Sequence, residues 1–475
     1  MNTTTNPQLS KSDFRSYRRS PRHLWAKRNG RQDPYEGSPL YGIMEDQIQE
    51  LGREFIEKWL LPQMPGWEFF WQKSLLDGPY LASIVALLVK DGRNAILYEI
   101  KISTKVKSED VADAAFLALI IRKYYQIEQV NLILVDNSYS LQGNLELNKL
   151  LKIEDISDRV LKILPELERQ REKALQVLSL ESPEELEPCW NPDKCICLDV
   201  CHPSLPVFSV FDIPKLGQKK KQELLSLGIR EAGQIPLSLD LSDGQKKAAD
   251  IARTGIPQLD LLRLQEELTR ISYPVYFLDY ETCGLAVPIH EGYIPYQPMV
   301  FQYSLHRLDE PFADPVHFEH LSEVGEDPSV SLLTSLKKNI GSKGSIVVWY
   351  ANFETSRNQE MARLHPQYVD FLENLNSRIF DLMEIVSKGI YRHPGFRGGN
   401  SLKDVLPVMV PELSYSGLEI NKGEQASYGW WQLACSNLEE EERKIIIAQM
   451  LAYCCLDSLA MVEIYRKFIA LGRGN

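Results

Sequence analysis

The sequence lacks the features that mark membrane and secreted proteins. In its 475 residues, no apolar run approaches the ~20 residues that cross a bilayer. The opening segment MNTTTNPQLSKSDFRSYRRS has no apolar core of a secretory signal. Hydrophobic residues make up 44% and charged residues 25% of the chain, a balance that excludes a disordered protein. We therefore expect a folded cytoplasmic protein with no membrane partner.

Basic residues are fewer than acidic ones, 53 against 65, and the chain has eight cysteines. The formal net charge of −12 argues against a nonspecific polyanion binder, although local basic channels can coexist with such a charge. Four of the eight cysteines, Cys189, Cys195, Cys197 and Cys201, lie in one short segment. In a reducing compartment, this crowding indicates a metal site rather than disulfides.

Two acidic residues stand in a segment that otherwise predicts a buried strand. The run YPVYFLDYETCG is rich in β-branched and aromatic residues up to Asp279, and Glu281 follows two positions later. Strand side chains alternate faces, so both carboxylates project to the same side and repel each other. A divalent cation relieves such repulsion, because Mg²⁺ and Mn²⁺ take hard oxygen ligands. The alternative is that the strand ends at Asp279 and that both acids are solvated in a loop.

Further acids follow at positions that can meet this pair. The segment Ile346–Trp349 is a predicted strand that breaks into a helix, with Glu354 at the junction. Asp381 precedes another helix. In the last predicted helix, Tyr453 and Asp457 stand four residues apart and share one face. One helix therefore offers a carboxylate and a phenol together.

Four acids and a tyrosine in this order resemble the DEDD superfamily of 3′→5′ exonucleases, in its tyrosine-bearing DEDDy branch with a DnaQ-like, RNase H-like fold. The resemblance implies the catalytic residues Asp279, Glu281, Glu354, Tyr453 and Asp457. It also implies that the four acids hold two Mg²⁺ or Mn²⁺ ions and that the tyrosine orients the attacking water. The family normally has aspartate in its second motif. Glu354 is one methylene longer, yet it retains the charge and the oxygen ligands.

A β-hairpin is predicted in the first part of the chain, in ASIVALLVKDGRNAILYEIKIST, with its turn at Asp91-Gly92. Glu99 and Lys101 alternate on the second strand and share a face. This pattern resembles the PD-(D/E)xK core of RecB-like nucleases, in which an acid on the first strand and the E-x-K hold a metal and position water. The alternative is a structural hairpin with a surface E-x-K.

The position of the first acid in this resemblance falls on Ala86. The resemblance therefore implies a degenerate nuclease site at Glu99 and Lys101, unless Asp77 or Glu54 replaces the missing ligand.

The cysteine segment carries a second resemblance. Cys189, Cys195 and Cys201 are spaced similarly to three cysteines of RecB-like nucleases that hold a [4Fe–4S] cluster, whose fourth cysteine lies near the amino terminus in Y-x-x-C-P-R. Here residues 17–22 are YRRSPR, and Ser20 takes the place of that cysteine. Three interpretations stay open: a Zn²⁺ site completed by Cys197, an iron–sulfur site that lacks one ligand, and free thiols on a loop.

We predict a multidomain α/β protein. Its parts are a restriction-endonuclease-like domain over residues 1–205 with the cysteine cluster at 189–201, a helical connector over 206–268, and an RNase H-like domain with a mixed sheet flanked by helices over 269–475. In the connector, a predicted helix, a turn at Gly217 and a second helix with Lys219, Lys220 and Lys221 are similar to a helix-hairpin-helix. A solvated lysine run on a linker helix is the alternative.

The whole architecture resembles bacterial proteins that join a RecB-like module to a DnaQ-like module, in stretches such as PYQPMVFQYSLH and LPVMVPELSYSGLEI. This resemblance implies a metal-dependent 3′→5′ exonuclease that hydrolyses DNA or RNA with a free 3′ end, with DNA favoured and DNA repair as the setting. The amino-terminal module would bind or deliver the substrate. The alternative is a non-catalytic nucleic-acid-binding or scaffold protein, which the departures at Ala86, Ser20 and Glu354 suggest.

Overall fold

The protein is described by a computed structural model that covers residues 8–31, 38–192, 195–322 and 325–474. The chain forms two compact units. The first is Met1–Ser204 together with Leu285–Gln297, and the second is Leu205–Gly284 together with Pro298–Asn475. Both units contain a mixed β-sheet flanked by helices, which agrees with the general α/β class predicted from the sequence.

The first unit is built around a sheet with the order β1-β3-β4-β5-β6, in which β2 also pairs with β3. Its elements are β1 (Leu9–Ser10), α1 (Lys11–Arg19), α2 (Pro21–Arg28), α3 (Pro39–Phe55), β2 (Trp67–Asp77), β3 (Tyr80–Lys90), β4 (Asn94–Lys101), α4 (Ser108–Ile121), β5 (Gln126–Val135), α5 (Leu147–Leu150), β6 (Leu151–Asp155), α6 (Ser157–Val177) and α7 (Leu198–Cys201).

The predicted hairpin is formed by β3 and β4, which pair in antiparallel register. Asp91 and Gly92 have φ angles of 53° and 62°, as a tight turn between strands requires. The next strand, β5, runs parallel to β4, and helix α4 makes the crossover between them. Nearly every residue of α4 is buried in the core cluster against this sheet, because the helix is apolar on all sides.

The second unit holds a sheet with the order β10-β9-β8-β11-β12. Its elements are α8 (Gln218–Ser226), α9 (Asp243–Thr254), β7 (Gln258–Leu259), α10 (Leu261–Thr269), β8 (Val275–Cys283), β9 (Met299–Leu308), β10 (Val316–Leu321), α11 (Pro328–Asn339), β11 (Ile346–Val348), α12 (Ala351–Leu364), α13 (Val369–Asn376), β12 (Ile379–Asp381), α14 (Glu384–Ser387), β13 (Tyr391–Arg392), α15 (Leu402–Met409), α16 (Gly423–Cys435) and α17 (Glu440–Gly472). Strand β9 is antiparallel to β8 and β10, while β8, β11 and β12 run parallel.

The predicted connector belongs to the second unit, and the first helix expected there is not formed. Residues 205–217 adopt turns and bends, because Pro214 removes a backbone donor and Lys215 takes a left-handed φ of 56°. Of the predicted lysine run, Lys220 donates to the Asp240 carbonyl and Lys221 lies over the Phe211 ring. Of the two helices that the helix-hairpin-helix interpretation requires around Gly217, only the second, α8, is therefore present.

Helix α17 is long and apolar enough to cross a membrane by length and composition, with a mean hydropathy of 1.9 in its most apolar window. The expectation that no segment meets this test is therefore wrong. The helix nevertheless packs against β8 and β9, and Met461, Ile464 and Phe468 lie in the core cluster beneath it. Core helices pass the same test, and the packing of α17 favours that role.

Candidate active site

Strand β8 alternates strictly between two faces. Tyr276, Leu278 and Tyr280 belong to the core cluster with α11 and α13, whereas Val275 and Phe277 belong to the cluster with α17. With a period of two, Asp279 and Glu281 continue the α17 face. The alternative, that the strand ends at Asp279, is wrong, because β8 extends to Cys283 and pairs with β9 along its length.

Helix α17 brings the predicted helical pair to these strand acids. The Cys454 Sγ atom lies 3.5 Å from the Asp279 Oδ2 atom. One turn further, Asp457 is buried and its carboxylate accepts a hydrogen bond from the Tyr415 hydroxyl. Tyr453 precedes Asp457 by four residues and is also buried. The strand acids, the helical acid and the phenol therefore share one site.

Glu354 reaches the site from the first turn of α12, and Asp381 holds that turn in place. The Asp381 carboxylate accepts hydrogen bonds from the backbone N–H groups of Tyr350, Ala351 and Met383 at 3.1, 2.9 and 3.0 Å. An acid at a helix amino terminus satisfies donors that have no partner within the helix. Asp381, considered from the sequence as a further acid near the site, is thus the residue that positions the helix carrying Glu354.

We expect Asp381→Ala to destabilise the protein by about 1–2 kcal/mol, as loss of a helix cap does. Activity should fall as well, because the first turn of α12 loses its anchor. Urea denaturation and a nuclease assay on the same preparation measure both effects. The exposed Asp314, which lies outside the helices and strands, provides the matched control, and Asp314→Ala should change neither quantity. Wild-type stability in Asp381→Ala would contradict this role.

The buried carboxylates disfavour one another's ionised forms. Burial, followed by the charge of Asp457, raises the pKa of Asp279 well above its ordinary value. Burial and the charge of Asp279 do the same to the pKa values of Glu281 and Glu354. Burial raises the pKa of Asp457 to about 6, against the opposing effect of hydrogen bonds from Tyr415 and Tyr453. Such mutual repulsion among neighbouring buried acids is typical of functional sites.

The donor set fits divalent cations. The Glu354 Oε2 atom is buried and has no hydrogen-bond partner among the described residues, an arrangement that is costly unless a ligand completes it. Lys403 opposes the rise in the pKa values of Asp279, Glu281 and Asp457, and Arg357, which also pairs with Glu360, opposes that of Glu354. Carboxylate oxygens are the ligands that Mg²⁺ and Mn²⁺ prefer.

Lys403 and Tyr415 are among the residues at the site that were missed from the sequence. Lys403, on α15, donates to the Asn421 carbonyl at 2.6 Å and lies 3.4 Å from the Tyr453 hydroxyl. Its ammonium group is 5.3 Å from the ring centres of both Tyr415 and Tyr453. Because α15 and the following loop reach the site only through tertiary packing, no local pattern marks these residues.

In the predicted amino-terminal site, lysine and arginine side chains of the chain itself form ion pairs with the acids. Glu99 is 1% exposed, and its Oε2 atom lies 2.7 Å from the Lys11 Nζ and 3.5 Å from the Lys101 Nζ. Lys101 also pairs with Asp113 at 3.1 Å, and Arg15 donates to the same Asp113 carboxylate. The two lysines pair with the Glu99 Oε2 atom, while its Oε1 atom is buried without a hydrogen-bond partner among the described residues. The interpretation of a surface E-x-K is wrong, because Glu99 is buried.

Asp77 and Glu54, the two residues considered as replacements for the missing acid, have other ion-pair partners. Asp77 pairs with Arg171 at 3.5 Å, and Glu54 contacts Lys58 on its own helical segment. Ala86 itself pairs directly with Tyr98 on β4, so it shares the Tyr98 face and not the face of Glu99. A carboxylate at position 86 would therefore point away from Glu99.

The cysteine segment forms a compact ligand cluster with a histidine that the sequence did not reveal. The ligand atoms of His23, Cys189, Cys195 and Cys201 all lie within 4.8 Å of one another. The cluster could bind a metal ion. Cys197 lies at its edge, with its Sγ atom 3.8 Å from that of Cys201.

Comparisons with known proteins match one segment of the chain. Residues 276–401 match a family model described as "Domain of unknown function (DUF2779)". The matched segment includes Asp279, Glu281 and Glu354 and ends before Lys403 and Asp457. No curated protein and no solved structure matches the chain.

Proposed function

We propose that the second unit is a metal-dependent 3′→5′ exonuclease that hydrolyses phosphodiester bonds of nucleic acid. The observation that carries this proposal is the convergence of four carboxylates, the buried Glu281, Glu354 and Asp457 and the half-buried Asp279, beside the phenol of Tyr453. The sheet order supports an RNase H-like assignment, since β9 alone runs against the direction of its sheet neighbours.

In this proposal, Asp279, Glu281, Glu354 and Asp457 hold two Mg²⁺ or Mn²⁺ ions. Bound there, the ions supply an activated water and neutralise charge on the reacting phosphate and the leaving 3′ oxygen. Burial and the neighbouring acids raise the pKa of Tyr453, so its phenol stays protonated and can donate a hydrogen bond. Tyr415 holds the Asp457 carboxylate in one orientation through its hydroxyl.

We propose that the first unit binds or delivers nucleic acid without cutting it. One oxygen of the Glu99 carboxylate that would hold a metal, Oε2, is already paired with Lys11 and Lys101. Displacing these cations would leave them without their buried partner, which costs several kcal/mol in typical proteins. The restriction-endonuclease-like hairpin is then retained as a binding scaffold.

The decisive experiment follows degradation of single strands labelled at the 5′ end, with Mn²⁺ and with Mg²⁺, for DNA and RNA in parallel. The expected result is a ladder that shortens from the 3′ end, together with an intact closed circular strand. Asp279→Asn, purified in the same way, controls for contaminating nucleases. Equal degradation by wild type and variant, or cutting of the circle, would overturn the proposal.

The role of Tyr453 can be separated from metal binding. We expect Tyr453→Phe to lower the turnover number by about 10²-fold, the usual effect of losing a positioned hydrogen-bonding group at the reacting water. Binding of Mn²⁺, measured calorimetrically, should remain at the wild-type level because the four carboxylates are unchanged. Tyr428, whose ring stacks on Trp431, serves as the control, and Tyr428→Phe should be as active as wild type. Full activity in Tyr453→Phe would remove the phenol from the mechanism.

The second candidate function, a non-catalytic nucleic-acid-binding or scaffold protein, rests on the neutralised Glu99 site. Binding of DNA or RNA without turnover under any divalent metal would favour it. If Lys101→Ala abolishes cutting while Asp457→Ala cuts normally, the active nuclease is instead the first unit. We expect the reverse, with cutting lost only in Asp457→Ala.

A further inference from the structure

The amino-terminal segment and the cysteine segment are joined through a dense set of contacts within the first unit. The Arg22 guanidinium donates to the carbonyls of Leu186, Val200 and Glu184 at 2.7, 2.7 and 3.0 Å. The Ser20 hydroxyl donates to the Glu187 carbonyl at 2.9 Å. The side chains of Ser20 and Arg22 therefore fix the backbone of the cysteine segment through hydrogen bonds. This pairing brings the next side chain of α2, His23, onto the thiols.

Three thiols and one imidazole meet at the centre of these contacts. His23, Cys189 and Cys201 are buried, and Cys195 is half-buried. The His23 Nε2 atom lies 3.4 Å from the Cys195 Sγ atom. All eight cysteines of the chain are free, so the short sulfur separations are not disulfides. Thiols are weak hydrogen-bond partners, and their convergence on an imidazole matches the ligand set of a structural zinc site.

The ligand set of the cluster favours a single ion over an iron–sulfur cluster. A tetrahedral Zn²⁺ with bonds of ~2.3 Å to sulfur and ~2.0 Å to nitrogen places its ligand atoms about 3.5–3.8 Å apart. The ligand atoms here lie within 4.8 Å of one another. A [4Fe–4S] cluster takes four cysteine thiolates. Here the converging ligand atoms are three thiols and the His23 imidazole, while the fourth thiol of the segment, Cys197, lies beside the group, 3.8 Å from the Cys201 Sγ atom. This Cys₃His set is not the four-cysteine set of the iron–sulfur cluster that the family resemblance implies, because Ser20 stands where its fourth cysteine belongs.

We propose that His23, Cys189, Cys195 and Cys201 bind one Zn²⁺ as a Cys₃His structural site, and that Cys197 is not a ligand. The ion ties helix α2 to the segment that ends at α7, across more than 160 residues of chain. A structural zinc site contributes directly to folding free energy. Its loss would loosen the amino-terminal helices, including α1 with its Lys11 contact to Glu99.

The first test is the metal content of the full chain with the Asp279→Asn substitution, which reduces metal binding at the carboxylate site. The protein is produced with zinc and iron both supplied and purified without oxygen, so that an iron–sulfur cluster would survive. We expect one zinc per chain and no stoichiometric iron or acid-labile sulfide. Stoichiometric iron, labile sulfide, or no bound metal would overturn the proposal.

Variants then identify the ligands. His23→Ala and Cys201→Ser should each weaken zinc binding by at least about tenfold, whereas Cys197→Ser should bind zinc as wild type does. Since the first two variants can also misfold, His23→Cys provides an independent test in protein loaded with Co²⁺. An added thiolate should strengthen the sulfur-to-cobalt absorption at unchanged stoichiometry. An unchanged cobalt spectrum, or equal zinc loss in Cys197→Ser and Cys201→Ser, would contradict the assignment.

Discussion

We expect Asp279→Asn to lose nuclease activity and, in metal-free buffer, to unfold at a higher temperature than wild type. Burial and the charge of Asp457 raise the pKa of Asp279, so folding places this carboxylate in a site that opposes its ionisation. At neutral pH the folded chain either keeps the charge against its neighbours or takes up a proton that the unfolded chain does not hold. Both alternatives lower the free energy of unfolding. An uncharged amide of the same shape has neither the repulsion nor the proton uptake, so it should raise that free energy.

Activity should fall while the unfolding temperature rises, and this combination distinguishes a functional carboxylate from one that stabilises the fold. Removing one member of a catalytic group commonly lowers activity by on the order of 10³-fold or more. The unfolding temperature should rise by at least about 2 °C, the shift that accompanies roughly 1 kcal/mol in a domain of this size. Scanning calorimetry without added metal and the strand-degradation assay measure the pair of changes. Asp314→Asn, at an exposed acid of the same unit outside the helices, should alter neither. A metal-free Asp279→Asn protein that is less stable than wild type would show that the carboxylate has a structural role.

Local periodicity was enough to predict how the central acids are presented. The period of two along β8 places Asp279 and Glu281 on one face, and the spacing of four on α17 places Tyr453 above Asp457. These patterns depend only on the chain within one element. The Asp91-Gly92 turn was predictable for the same reason, because its geometry is set by the two residues themselves.

What could not be predicted depends on distant partners. Lys11 neutralises Glu99 from 88 residues away, and no pattern around Glu99 reveals it. His23 joins the cysteines only because Arg22 and Ser20 fix α2 against their backbone. Asp381 caps α12 across a pair of parallel strands, β11 and β12, that are three residues each and too short to show periodicity. Tertiary contacts, and not local propensity, decided these roles.

The stabilisation that Mn²⁺ gives to the wild-type protein should grow as the pH rises from 5 to 8. The folded-state pKa of Asp457 is raised to about 6, and those of Asp279, Glu281 and Glu354 are raised well above their ordinary values. Acids with raised pKa values contribute stability that is fully present below the unfolded-state value of about 4 and is lost as the pH rises through the folded-state value. The metal-free protein therefore loses stability over this range.

The affinity for metal, by contrast, increases as the pH rises, because the ion must displace the protons that these acids hold. Each proton released makes the affinity for Mn²⁺ rise by up to about tenfold per pH unit below the pKa concerned. At a concentration of 100 times the dissociation constant, one bound ion stabilises the fold by about 2.7 kcal/mol, and this gain disappears as acidification raises the dissociation constant.

Unfolding temperatures with and without Mn²⁺, in buffers of equal ionic strength, give the pH dependence of this stabilisation directly. No chelator is used, because it would also remove the ion proposed for the Cys₃His site. In Asp279→Asn/Asp457→Asn the Mn²⁺ effect should be small at every pH, since two of the four carboxylates are gone. A wild-type effect that is constant from pH 5 to 8, or equal in the double variant, would mean that Mn²⁺ binds elsewhere on the protein.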